Sequence, residues 1–213
     1  MKVNRRTEIV SRRTAFDTSE WTKDDVDPPC IDDLSRTFRK VGVDLAVAAC
    51  IEAMQEAQLS AADITHVVSV TCTDQGNPGY DLHVCQKLGI GPNVPRTLLH
   101  GVGCAGGLSA LRSGADVAAA ESQKRRPARV LVMACEICSL FWRAELLAAS
   151  CDDAVHIAPA LFSDGAAALV ICNDIALEKQ QRPIFELLEC GSMAVPKTID
   201  HMSYMVKNNG MLR

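Results

Sequence analysis

The sequence predicts an α/β fold: a mixed, mostly parallel sheet covered by helices on both faces. Two observations carry the prediction. The runs Thr65–Thr71, Arg96–His100 and Arg129–Ala134 read as strands without the polar alternation of a half-exposed sheet, the pattern of strands covered on both sides. Between them lie runs of helical periodicity, and strand alternates with helix as it does where crossover helices join parallel strands.

Each element has its own justification. Met1 to about Arg39 is polar and charged, with Asp27-Pro28-Pro29-Cys30-Ile31-Asp32 as a loop or short turn. Val43–Leu59 is a helix, because Val43, Ala46, Val47, Cys50, Ile51 and Met54 fall near i, i+3, i+4, i+7 and i+8. Thr65–Thr71 is a β-branched buried strand, and Tyr80–Leu88 is a helix closed by Gly89. Arg96–His100 is a strand that feeds the turn Gly101-Val102-Gly103, from which the long helix Cys104–Glu121 departs. Arg129–Ala134 is a third strand. Ala166–Cys172 and Ile184–Gly191 follow in series, joined by Asn173-Asp174 and the polar stretch Glu178–Arg182. No linker, low-complexity segment or internal repeat interrupts the pattern.

Composition narrows the function classes. A hydrophobic fraction of 48% over 213 residues supplies a sizeable core. A net charge of −4 gives no electrostatic case for nucleic acid or a membrane surface. No stretch approaches the length of a membrane span, and the Arg-rich N-terminus lacks the apolar run of a signal peptide, so a cytoplasmic protein is expected. Ten cysteines suggest a disulfide scaffold, but the chain is too long and too apolar for one. Cys50, Cys72, Cys85, Cys172 and Cys190 read as small buried hydrophobes in a reducing compartment. Cys135-x-x-Cys138 invites a zinc or redox reading. Zinc requires a second ligand pair, which the sequence does not supply, and Cys135 ends a strand rather than opening a helix. No metal and no resident cofactor are expected.

Cys104 carries the chemistry. A thiol where a glycine-rich turn opens a helix faces unpaired N–H groups and the positive end of the helix dipole, a setting that favours thiolate. The surrounding glycines permit a sharp turn and close approach of a substrate to the backbone. The alternative is a small hydrophobe packed into a tight strand–helix junction.

Four motifs, Asn77-Pro78-Gly79-Tyr80-Asp81, Gly103-Cys-Ala-Gly-Gly107, Ala134-Cys-Glu-Ile-Cys-Ser-Leu-Phe-Trp-Arg143 and Ala160-Leu-Phe-Ser-Asp-Gly165, resemble in order and spacing those of the chalcone/stilbene synthase-like type III polyketide synthases. The flavour is fungal or bacterial rather than plant. The resemblance runs from about Arg5 to the end of the chain. It implies that residues 1–213 are about half of such a protein, the N-terminal part of a thiolase-like fold, with the C-terminal half absent. It also implies an acyltransferase. Cys104 accepts an acyl group from a CoA thioester, and malonyl-CoA is then decarboxylated and condensed onto that group toward a pyrone or resorcinol. The substrates are CoA thioesters and the intact protein is a homodimer through the Asn77-Pro78 loop.

The same resemblance assigns roles. Phe162 is the gate for malonyl decarboxylation; the residue-level alternative is a core aromatic before a turn. Thr73, Glu136, Cys138, Phe141 and Ser163 line the cyclisation and acyl cavities; Cys138 and Phe141 depart from the plant pattern toward an aliphatic starter, and Ser163 stands where plant members usually carry Gly. Glu136 reads equally as a carboxylate hydrogen-bonded at a strand end. Arg6 and Arg12 belong either to a CoA-phosphate segment or to a solvated charge run. A His and an Asn, the family's base and oxyanion donors, lie in the second half. His100 is at a strand end and reads as a packed or hydrogen-bonded residue rather than their substitute. Two other readings stand beside this one: a ketoacyl-ACP synthase III-like or HMG-CoA synthase-like condensing enzyme, and a truncated half that does not catalyse.

Overall fold

A computed structural model of the chain describes residues 7–19, 23, 27–151, 158–177, 182–199 and 201. The chain divides into two compact units, one of Met1–Gly42, Glu136–Gly165 and Ala194–Arg213, the other of Val43–Cys135 and Ala166–Met193. The elements, in chain order, are α1 (Ile31–Thr37), α2 (Val43–Glu56), β1 (His66–Val70), α3 (Tyr80–Leu88), β2 (Arg96–Leu99), α4 (Gly106–Gln123), β3 (Arg129–Glu136), α5 (Trp142–Cys151), α6 (Ala158–Leu161) and β4 (Gly165–Cys172). The strands form one sheet in the order β2-β1-β3-β4. β1 runs parallel to both β2 and β3, and Val70 lies opposite Leu99 on one side and Ala134 on the other.

Alternation along the strands sorts the core of the second unit into two layers. Val68, Val70, Val130 and Val132 join Ala110 and Ala118 of α4 in one buried cluster, with Leu99, Val102 and Ile171 packed against it. α4 lies close because its buried stripe is small: Gly106, Ala110, Gly114 and Ala118 recur every fourth residue. A Cβ at Gly114 would stand 2.7 Å from Val132 Cγ2, and one at Gly106 would stand 2.7 Å from Val70 Cγ2. Side chains of opposite parity, Leu131 and Met133, are also buried. Cys50 of α2 contacts Met133 there at 3.6 Å between sulfurs. Tyr80 of α3 is fully buried, and its hydroxyl donates to the Val70 carbonyl at 2.9 Å. Helices therefore cover both faces, as the uninterrupted strands predict.

Polar groups close the ends. α3 stops at Gly89 with φ +73. α4 stops without a glycine: Arg125 adopts φ +56, and Glu121 takes Arg126 Nη2 at 2.8 Å and Lys124 Nζ at 2.8 Å. Asn173 joins the end of β4 to the start of β3, accepting the Ala128 N–H at 3.0 Å and donating to the Arg126 carbonyl at 2.9 Å.

The hydrogen bonds from Arg126 first, then Lys124, hold the Glu121 carboxyl down from its ordinary 4.5 to about 2. A depressed carboxylate stabilises the fold at pH above its unfolded value, and that contribution disappears as pH falls through about 2. Urea midpoints measured from pH 5 to pH 2 should therefore fall more steeply for the wild type than for Glu121→Gln. Parallel curves would remove Glu121 from the acid response.

Several expectations are corrected. The helical run begins at Ile31, not Val43: α1 leads through a π-helical stretch, Phe38–Gly42, into α2. Leu34 and Phe38, four residues apart and buried, anchor this beginning, while the surrounding charge masks it in the sequence. α2 ends at Glu56 rather than Leu59. α5 and α6 were not foreseen. Ile184–Gly191 has strand composition but joins no ladder in the described residues, and Ile184, Phe185 and Leu188 are exposed. Strand propensity needs a partner edge as well as apolar residues. Cys190, expected to be buried, is exposed for the same reason, whereas Cys72 and Cys172 are part-buried.

Candidate active site

In the second unit the candidate groups follow the carboxyl ends of parallel strands, where open α/β sheets place their ligands. β2 ends at Leu99, and the chain turns through Gly101 at φ +73 and Gly103 at φ +52, a region costly for any residue with a Cβ. Cys104 lies in a 3₁₀ turn, Gly103–Ala105, and α4 begins only at Gly106. The thiol is exposed at the mouth of the helix. The predicted helix start at Cys104 is thus two residues early, because the close packing of Gly106 on Val70 fixes where the regular helix can begin.

β1 ends at Val70 and hands on to Thr71 and Thr73, both buried. The Thr73 N–H donates to Thr71 Oγ1 at 3.2 Å, and the two hydroxyls are 3.3 Å apart. His100 Nδ1–H donates to the Thr71 carbonyl at 3.2 Å. That bond ties the Thr73 loop to the turn that presents Cys104, and His100 is hydrogen-bonded at a strand end, as the sequence reading expects.

Burial separates this thiol from others of the unit. Desolvation pushes Cys50 up to about 12, with Cys85 nearby adding to the shift, and desolvation pushes Cys85 itself up to about 11. Such thiols remain protonated at neutral pH and serve as packing.

The first unit holds the remaining candidates. Glu136 is the last residue of β3. Cys138 and Phe141 sit on a 3₁₀ turn, Cys138–Phe141, with Phe141 buried and Cys138 part-buried. Phe162 follows α6, part-buried, and its N–H donates to the Ala158 carbonyl at 3.0 Å. The next residue, Ser163, turns its hydroxyl to accept the Arg13 N–H at 3.1 Å. Arg12 is not a solvated charge: its guanidinium donates to the Ile9 carbonyl at 3.2 Å and to the Ala160 carbonyl. Arg6 lies outside the described residues.

Two residues were missed. Asp164 reads in sequence only as half of an Asp-Gly turn, and Ser139 has no assigned role. In the structure the Asp164 carboxylate accepts the Ser139 N–H at 2.8 Å and its hydroxyl at 2.6 Å, joining the Cys138–Phe141 turn to the Phe162 loop. Ser139 is fully buried. The available signal was an acidic residue two positions past an aromatic, between apolar runs. Among the described residues, no group of three or more His, Cys, Asp or Glu side chains could hold a metal, and no helix is long and apolar enough to cross a membrane.

Residues 26–175 match the family model described as chalcone and stilbene synthases, N-terminal domain. The chain is 42% identical to the type III polyketide synthase pspB of Penicillium soppii, over 99% of this chain and 54% of that protein. It is 38% identical to the acylalkylpyrone synthase csyB of Aspergillus oryzae, over 99% of this chain and 53% of that protein. The crystal structure of CsyB complexed with CoA-SH superposes with a TM-score of 0.94 at 37% identity, covering 100% of this chain and 57% of that one. The chain thus spans about half the length of the curated relatives it matches.

Proposed function

The chain belongs to the chalcone and stilbene synthase family, and from that premise we propose that it is the nucleophile-bearing part of a fungal-type type III polyketide synthase that condenses an acyl-CoA starter with malonyl-CoA. One observation carries the reading: Cys104 is exposed on a positive-φ glycine turn at the carboxyl end of a parallel strand, at the mouth of an 18-residue helix.

The steps use that geometry. The Cys104 thiolate attacks the starter's thioester carbonyl, and CoA leaves as its thiolate. Malonyl-CoA loses carbon dioxide, and the resulting enolate carbon attacks the Cys104 thioester. The new carbon–carbon bond forms, the carbon–sulfur bond breaks, and the β-ketoacyl-CoA departs with Cys104 restored. Phe162 shapes the space in which the malonyl unit loses carbon dioxide. The resemblance assigns Thr73, Glu136, Cys138 and Phe141 to the acyl and cyclisation cavities, and Arg6 and Arg12 to the segment that meets CoA. The His and Asn that complete the site come from a second half, as in the resembling family, and the working protein is a homodimer. The naming of one relative as an acylalkylpyrone synthase supports an aliphatic starter and a pyrone product, and the CoA bound to CsyB supports CoA thioesters as substrates.

The test is acyl loading followed by peptide mapping, in this chain joined to a second half of the kind its relatives carry. A thioester on Cys104 is the expected result; one on Cys135 or Cys138 overturns the assignment. In the same protein, Phe162→Ala should slow carbon dioxide release from malonyl-CoA by about a hundredfold while starter loading changes little. Equal losses in both steps would reduce Phe162 to packing.

A further inference from the structure

We propose that Arg12–Ala15 is a strap that sets the position of the Phe162 loop, clasped to it by Ser163 and Asp164, and that through Asp164 the same strap fixes the turn carrying Cys138. The inference rests on the reading of Phe162 and Cys138 as pocket residues, and it assigns the N-terminal segment a part in the shape of that pocket.

The bonds are specific and reciprocal. The Arg13 N–H donates to Ser163 Oγ at 3.1 Å, and the Asp164 N–H donates back to the Arg13 carbonyl at 2.9 Å. The Ala15 N–H donates to Asp164 Oδ2 at 2.8 Å, the oxygen that also accepts the Ser139 hydroxyl at 2.6 Å. The other oxygen takes the Ser139 N–H at 2.8 Å. Arg12 adds its guanidinium to the Ala160 carbonyl, one turn before the loop. The N-terminal strap, about 150 residues away in sequence, and the Ser139 turn, 25 residues away, thus meet the Phe162 loop on one carboxylate and one hydroxyl.

The chemistry suits a clasp. A carboxylate that accepts two backbone N–H groups and a hydroxyl makes charge-assisted bonds, stronger than neutral ones. Ser139 is fully buried, and removing its acceptor leaves its N–H and hydroxyl unsatisfied inside the unit. The Ser163 hydroxyl is engaged with the strap, so its influence on the product passes through the position of Phe162 rather than through contact with substrate. Asp164 and Ser163 are positioning residues in this scheme.

Amide hydrogen exchange on this chain tests the strap without requiring turnover, so it can fail while acyl loading succeeds, and the reverse. Asp164→Asn should speed exchange at Ala15 and at Ser139 by about tenfold, the loss of one hydrogen bond at each. It should also speed alkylation of Cys138, while the Val68 and Val132 amides hold their wild-type rates. Ser163→Ala is the milder variant: Arg13 should exchange faster and Ser139 should not. Faster exchange at Ser139 with Ala15 unchanged would show that the strap is not held by Asp164 and would overturn the proposal. A uniform rise across the chain, Val68 and Val132 included, would also overturn it, by making Asp164 a residue of general stability.

Discussion

Replacing Cys104 with alanine should lower condensation by about four orders of magnitude or more in the protein completed with a second half, and should remove the acyl-enzyme from its mass spectrum. The size of the loss follows from the site. In the proposed reaction the thiol is the group that bonds to the acyl carbon, and the next cysteine along the sheet, Cys135, is fully buried. The fold should not notice the change. Cys104 is exposed in a turn whose conformation is set by Gly101 and Gly103, so the cost in stability should stay within about 0.5 kcal/mol. Circular dichroism and a urea midpoint would establish that. An acyl adduct that persists at wild-type level in Cys104→Ala would move the nucleophile elsewhere.

The second large effect is on stability. Gly114→Val should destabilise the chain by about 3 kcal/mol through overpacking. A Cβ alone at Gly114 would sit 2.7 Å from Val132 Cγ2 and 3.0 Å from Ile171 Cδ1, closer than side-chain carbons approach. Valine adds two methyls to that contact, and α4 can accept them only by lifting from β3 and β4. The control is Ala119→Val, on the exposed side of the same helix, which should cost only the propensity difference of about 0.6 kcal/mol. Even Gly114→Ala should be destabilising, reversing the gain of about 1 kcal/mol that the same change brings at an open helix position. Urea denaturation of the three variants decides the matter. If Gly114→Val and Ala119→Val lie within about 0.5 kcal/mol of each other, the helix does not lie as close to the sheet as the structure has it.

The sheet and the helices on its faces are legible in the sequence because burial leaves a direct trace. Val67 to Val70 and Val130 to Met133 carry no alternation since both their faces are covered, and α2 and α3 show their inner faces at helical spacing. The turn before Cys104 is legible for a related reason: positive φ at Gly101 and Gly103 favours glycine, and glycine is visible in a sequence. What the residues conceal is long-range polar pairing. Asp164 is two residues past Phe162, and nothing local announces that its partners are Ala15 and Ser139. Ile184–Gly191 shows the opposite failure. Its composition suits a strand, but pairing is a property of two edges, and one sequence run describes a single edge. The start at Ile31 was hidden because the two buried anchors, Leu34 and Phe38, are outnumbered by charges on the solvent side.

The depth of the cysteines bears on covalent inhibition. An electrophilic warhead meets a graded series of sulfurs: Cys50 and Cys135 are sealed inside, Cys72, Cys138 and Cys172 are partly reachable, and Cys30, Cys104 and Cys190 stand open. Openness therefore does not single out Cys104, and a small indiscriminate reagent would mark Cys30 and Cys190 as readily. Selectivity has to come from the leaving end of the molecule. On the proposed function, a reagent built on an acyl chain with a CoA-like carrier is the one expected to reach Cys104 selectively, while a bare haloacetamide would report only on surface.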